Sequence, residues 1–138
     1  MNKSKFFTGQ PIFSQILNYG PRHQVNLIAQ KHGADHYYKN LRTYEHLVSL
    51  LYGIFNKCNG LREVTTGLQA WEKKIHHLGI SYQPRKSTLS DANRDRSAEV
   101  FADIYYVLLS RYGQFLSDSR SKKGRKIYMV DSTTITLF

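Results

Sequence analysis

The residues best suited to chemistry lie in 87–96, Ser-Thr-Leu-Ser-Asp-Ala-Asn-Arg-Asp-Arg. The hydroxyls of Ser87, Thr88 and Ser90 can bond phosphate oxygens or base edges. Asn93 suits adenine and Arg94 suits guanine, because an amide and a guanidinium each offer paired groups that match those bases in the major groove. Arg85 and Lys86 stand just before the stretch, where a helix N-terminus already attracts phosphate, and Arg96 adds a cation at its end. Leu89 and Ala92 fall on the inward side. Asp91 and Asp95 would repel phosphate, so a capping role for Asp91 and a salt bridge for Asp95 are expected. The plain alternative is a solvated helix face.

Two further features could act on a phosphodiester. Arg120, Lys122, Lys123, Arg125 and Lys126 form a basic run that either tracks a phosphate backbone or is simply solvated. Asp131 follows the apolar run Ile127-Tyr128-Met129-Val130, and a carboxylate at the end of a buried strand can hold a divalent metal. One carboxylate is weak support for that, and Asp131 serves equally well as a turn residue beside Ser132 and Thr133. His23, His32, His36, His46, His76 and His77 lack the paired cysteines of a usual zinc site. There is no glycine-rich phosphate loop and no Gly-x-Ser-x-Gly elbow. Trp71 and most of the ten tyrosines sit at helical spacing and read as core or rim.

Twenty Lys and Arg against ten Asp and Glu leave 138 residues with a net charge of +10. Such an excess favours a polyanionic partner, DNA before RNA or an acidic membrane surface. There is no signal peptide pattern and no long apolar run, so no membrane partner is expected. The single cysteine, Cys58, precludes an internal disulfide and fits a reducing, cytoplasmic setting. A basic RNA-binding helical protein is the rival class, but no RNA-recognition sheet signature or Gly-x-x-Gly clamp in a suitable setting supports it.

The elements that would position these residues are mostly helical. Ile12, Phe13, Ile16 and Leu17 mark a first helix, and Val25, Leu27, Ile28 and Ala29 a second with Gly33 as its stop. Residues 35–40 read as a connection. Thr43 is the expected N-cap of a third helix, whose face Tyr44, Leu47, Val48, Leu51, Ile54 and Phe55 reads as core, ending at Asn59-Gly60. The spacing of Leu61, Val64, Leu68, Trp71, Ile75 and Leu78 predicts one helix over 61–78, with Gly67 marking a bend or close packing. After a connection containing Pro84, Thr88 is the expected N-cap of the next helix, with Asp91 in the capping-box position. Ser97 starts or continues another, with Val100, Phe101, Ile104, Tyr105, Leu108, Tyr112 and Phe115 as its apolar face. The helices over 61–78 and 88–96 have a helix-turn-helix layout, with a connection longer than usual. Residues 117–126 read as a basic linker and 127–138 as one or two strands. The expected fold is therefore mainly α, with a multi-helix domain over 1–116.

Four segments in order carry a family resemblance: Phe6-Phe7-Thr8-Gly9-Gln10-Pro11-Ile12-Phe13-Ser14-Gln15, Leu61-Arg62-Glu63-Val64-Thr65-Thr66-Gly67, Ser87-Thr88-Leu89-Ser90-Asp91-Ala92-Asn93, and Tyr128-Met129-Val130-Asp131-Ser132-Thr133-Thr134. On these the chain resembles the N-terminal region of bacterial DDE transposases of the insertion-sequence-four type, over essentially its whole length. The resemblance implies a helical DNA-binding domain ahead of an RNase H-like catalytic domain, with Asp131 as the first carboxylate of an Asp-Asp-Glu triad that binds Mg²⁺ or Mn²⁺. The second Asp and the Glu would lie beyond Phe138, so this chain is expected to have no catalysis of its own. Residues 127–138 would then be the opening strands of a truncated RNase H-like domain, packed opportunistically on the helices or poorly ordered. The implied partners are double-stranded DNA of the element's terminal repeats, a second copy, or a full-length transposase. The implied location is the bacterial cytoplasm, on the nucleoid. The same sequence would also serve as a natural short regulator of transposition or be a gene remnant.

Overall fold

The computed structural model describes residues 12–20 and 22–113, and among these the chain is helix and loop without a strand. The order is α1 (Ile12–Leu17), α2 (Arg22–Lys31), α3 (Thr43–Phe55), α4 (Leu61–Gln69), a 3-10 helix (Glu72–Leu78), α5 (Lys86–Asp95) and α6 (Ala98–Tyr112). The mainly helical expectation holds. The predicted linker over 117–126 and the strands over 127–138 lie outside the described residues, with Asp131, Arg120, Lys122, Lys123, Arg125 and Lys126.

One core joins these helices. Val25, Val48, Leu68, Leu89, Ala92 and Val100 are all almost completely shielded from solvent and belong to a single cluster. Each comes from the apolar stripe that its helix period creates. The stripes are narrower than the spacing suggests. Ile54, Phe55 and Tyr105 are exposed.

The helix ends show where local chemistry governs and where it does not. α2 ends as expected at Gly33, whose φ of 60° is the left-handed value a Schellman stop requires. Its bonds run from Ala34 N–H to Ala29 O and from Gly33 N–H to Gln30 O. The stop of α3 has the same bonds, Cys58 N–H to Gly53 O and Lys57 N–H to Ile54 O. Here a lysine, Lys57, holds the left-handed position with a φ of 52°, so α3 stops before the expected Asn59-Gly60.

The expected cap at Thr43 is corrected. Arg42 is the N-cap and makes no side-chain cap bond; Thr43 is already helical. Its N–H and Oγ1 both donate to Asp35 Oδ1, at 2.7 and 2.8 Å. A carboxylate from the preceding loop thus serves as the cap and places negative charge at the positive end of the helix.

The single helix expected over 61–78 is also corrected. α4 stops at Gln69, and the chain tightens through Trp71 N–H to Leu68 O and Lys74 N–H to Trp71 O, both three-residue bonds. The spacing of Trp71, Ile75 and Leu78 does not distinguish an α turn from a 3-10 turn. Packing decides: the tighter helix buries Leu78 and lies against α1, where Ser14 Oγ donates to His77 O. Gly67 is not the break. A Cβ there would stand 2.5 Å from the Tyr52 hydroxyl, so this glycine permits the close approach of α3 and α4.

Candidate nucleic-acid interface

α5 is seated by its inner side. Leu89 and Ala92 are fully buried, Pro84 is buried just ahead of the helix, and Gln83 Nε2 donates to Leu68 O of α4 at 3.3 Å. α5 packs on α4, but residues 70–85 connect them, far longer than the three- or four-residue turn of a helix-turn-helix. The helix starts earlier than the sequence suggests. Arg85 is the N-cap, and its side chain makes no cap bond. Thr88 is inside the first turn and half-buried, so it is neither the N-cap nor a fully presented contact residue. Asp91 loses its expected capping role with it.

The remaining polar residues reach solvent. Arg85, Lys86, Ser87, Ser90, Asn93 and Arg94 are all exposed. Lys86, Ser87, Ser90 and Arg94 follow the three- and four-residue spacing of one helix face. Arg94 does not stand as a bare cation. Its Nε donates to Asp95 Oδ1 at 2.8 Å and its Nη2 reaches Asp95 Oδ2 at 3.2 Å and Asp91 Oδ1 at 3.3 Å. The hydrogen bond from Arg94 holds the Asp95 carboxyl below its ordinary range. The salt bridge expected of Asp95 is therefore present, and Asp91 joins it.

Arg96 is the clear departure from the expected contact set. Its side chain is fully buried. Nη1 donates to His46 Nδ1 at 2.7 Å, Nη2 to Leu41 O at 3.0 Å and to Asp35 Oδ1 at 3.2 Å, and Nε to Ala34 O at 3.4 Å. Its guanidinium carbon stands 4.2 Å from the centre of the Tyr38 ring. A buried cation requires such partners to offset lost hydration. Arg96 meets that need by clamping the α2–α3 loop to the α5–α6 junction, so it cannot meet DNA in this fold.

His46 completes the network. Burial is the largest influence on its pKa, which is lowered to about 4, with Arg96 adding to the effect. Its Nε2 lies 2.6 Å from Asn93 Oδ1, and Phe101 packs edge-on at 5.1 Å. Sequence reasoning did not find His46, Asp35 or Tyr38. The only local signal was a histidine amid the apolar positions of α3; the other partners converge from far along the chain.

Other cations are engaged elsewhere. Arg22 lies over the Tyr44 ring, Arg111 over Tyr112, and Lys31 pairs with Asp103, which also meets His32 Nε2 at 2.8 Å. Among the described residues no three His, Cys, Asp or Glu side chains are grouped to hold a metal ion. No helix among them is long and apolar enough to cross a membrane. Asp131 and the Lys122, Lys123 and Arg125 run lie outside the described residues.

No curated protein and no solved structure shows significant similarity to the chain. Residues 8–81 match the family described as Domain of unknown function (DUF4372). The match takes in α1 to the 3-10 helix, with Asp35, Tyr38 and His46, and ends before Asn93 and Arg96. Covering more than half of the sequence, it shows that the chain belongs to the DUF4372 family.

Proposed function

We propose that this chain is a DNA-binding portion of a transposase and that α5 is its contact helix. The observation that carries the reading is the exposed set Arg85, Lys86, Ser87, Ser90, Asn93 and Arg94 on a helix whose opposite side is locked into the core. The net charge of +10 and the resemblance of four segments to insertion-sequence-four transposases support it. So does membership of a family commonly found at transposase N-termini.

In this reading α5 lies in the major groove, with α4 behind it as the supporting helix of a widened helix-turn-helix. Arg85 and Lys86 meet phosphate beside the N-terminal N–H groups, where the N-cap Arg85 makes no side-chain cap bond. They set affinity and salt dependence, while Asn93 and Arg94 face base edges. Arg94 exchanges its exposed partners Asp91 and Asp95 for a base, an exchange that water and salt make easy. The target is the terminal repeat of the element, and a dimer would bring two ends together. In such a transposase Asp131 would be among the Mg²⁺ or Mn²⁺ ligands.

The test is a gel shift against the element's own ends and against random duplex over a range of salt. A preference for the ends, with affinity falling steeply as salt rises, supports the reading. No preference over random duplex overturns its sequence-specific part, and tighter binding to duplex RNA replaces DNA by RNA as the partner.

A further inference from the structure

Arg96, His46 and Asn93 form a hydrogen-bonded chain from the interior to the surface, and its proton arrangement follows from chemistry alone. A guanidinium can only donate, so His46 Nδ1, 2.7 Å from Arg96 Nη1, must be an acceptor. In a neutral imidazole the proton then sits on Nε2, which must donate. Its partner at 2.6 Å must accept, so Asn93 turns its Oδ1 inward and not its NH₂. The buried arginine thus fixes the tautomer of a buried histidine, and the histidine fixes the orientation of an exposed amide. A freely rotating asparagine would offer either end to a ligand; this one is held.

We propose that Arg96 and His46 are positioning residues for Asn93, which presents its NH₂ outward as a fixed donor toward an acceptor on the groove edge of a base pair. The proposal rests on the DNA-binding reading and narrows it. The acceptors available in the major groove are purine N7, guanine O6 and thymine O4. A bidentate adenine contact needs the amide oxygen to accept from the adenine amino group. Here that oxygen is turned inward to His46, and the NH₂ is the end left to face the groove. Asn93 therefore selects for an acceptor at its position and not for adenine as such. Arg94, one residue on, reaches a base only by exchanging its exposed partners Asp91 and Asp95.

Selection from a random duplex pool tests this with the full chain. The wild type is expected to enrich a site in which one position, lost in Asn93→Ala, tolerates loss of the adenine amino group but not loss of the acceptor it presents there, purine N7, guanine O6 or thymine O4. His46→Leu is expected to bind random duplex as the wild type does and to lose about tenfold of the preference at that same position. His46→Gln, whose amide can accept from Arg96 and donate to Asn93, is expected to restore it. A purely structural role for His46 would weaken all sites together and would not single out one position. Nitrogen NMR of the free protein reads the relay without DNA: His46 protonated on Nε2 at neutral pH supports it, and protonation on Nδ1 overturns it. Enrichment of no sequence by the wild type, with the Nε2 tautomer present, overturns the DNA reading and leaves the relay standing as a structural fact. Enrichment of a site on which His46→Leu keeps the full preference overturns the positioning role alone. Dependence on the adenine amino group overturns the donor assignment.

Discussion

Arg94 and Arg96 stand two positions apart and belong to two different regions of the molecule. The outer face of α5 holds Arg94 in water, paired with Asp91 and Asp95, neither of which is buried. The pocket under the end of α5 holds Arg96 with no solvent exposure, bonded to two carbonyls, a carboxylate and a histidine. One residue type thus serves as an exchangeable surface cation and as a buried clamp. The surroundings make the difference: water screens and replaces the partners of the first, while the second has none to fall back on.

Removing Arg96 gives the largest effect expected from this contrast. Arg96→Ala leaves Asp35 and His46 without their buried donor, and should cost about 3 kcal/mol of stability in urea unfolding. Arg96→Lys should recover little of it, because an ammonium cannot fan out to four acceptors in a plane. Retention of wild-type stability by the alanine variant would break the distinction between the two regions.

Next in size is a pH effect confined to the buried region. His46 takes up its proton at about pH 4 when folded and near 6.5 when unfolded. Between those values the unfolded chain binds more protons. Stability is therefore complete above about pH 6.5 and falls as pH drops toward 4, by up to about 3 kcal/mol for this one group. Arg96, bonded to its Nδ1, is the charged group that acts on it, in the same direction as burial. The difference between wild type and His46→Gln isolates the histidine. Denaturation midpoints at pH 7 and pH 4.5 should lie closer together in the variant than in the wild type.

Gly67→Ala should cost about 1–2 kcal/mol, because its methyl meets the buried Tyr52 ring, even though alanine favours helix. Adding Tyr52→Leu should make the alanine nearly neutral in a double-mutant cycle. Lys57→Gly should act in the opposite direction and add roughly 0.5–1 kcal/mol by relieving a left-handed lysine. Arg94→Ala should leave the unfolding midpoint where it is and weaken specific DNA binding about tenfold, more than binding to random duplex. An equal loss on both DNAs would make Arg94 a phosphate contact. An altered midpoint would place it with Arg96 as a structural residue.

Much of the scaffold was legible because its signals are local. Apolar spacing placed α1, α2, α3 and α6, Gly33 marked the end of α2, and Ser97 is the N-cap of α6, accepting from Glu99 N–H at 3.2 Å. The polar face and inner side of α5 were legible for the same reason, since Leu89 and Ala92 follow one period and Lys86, Ser90 and Arg94 another. The 3-10 segment was not, because the same apolar spacing suits both kinds of turn. The cap at Thr43 was not, because its carboxylate comes from Asp35, outside the local capping pattern.

The sequence by itself determined a basic helical chain with one amphipathic helix carrying donors on its wet side. That follows from composition and from a helical period that sorts residues without reference to the rest of the fold. Only the tertiary structure decided which donors remain available. Arg96 looked like a contact residue next to Arg94, but Asp35, Tyr38, Leu41 and His46 converge on it from far along the chain and take it out of solvent. The same convergence fixes the His46 tautomer and turns Asn93 outward by its amino group. A hydrogen-bond chain assembled across α3, α5 and a loop exists only once those elements are packed, so no local pattern could announce it.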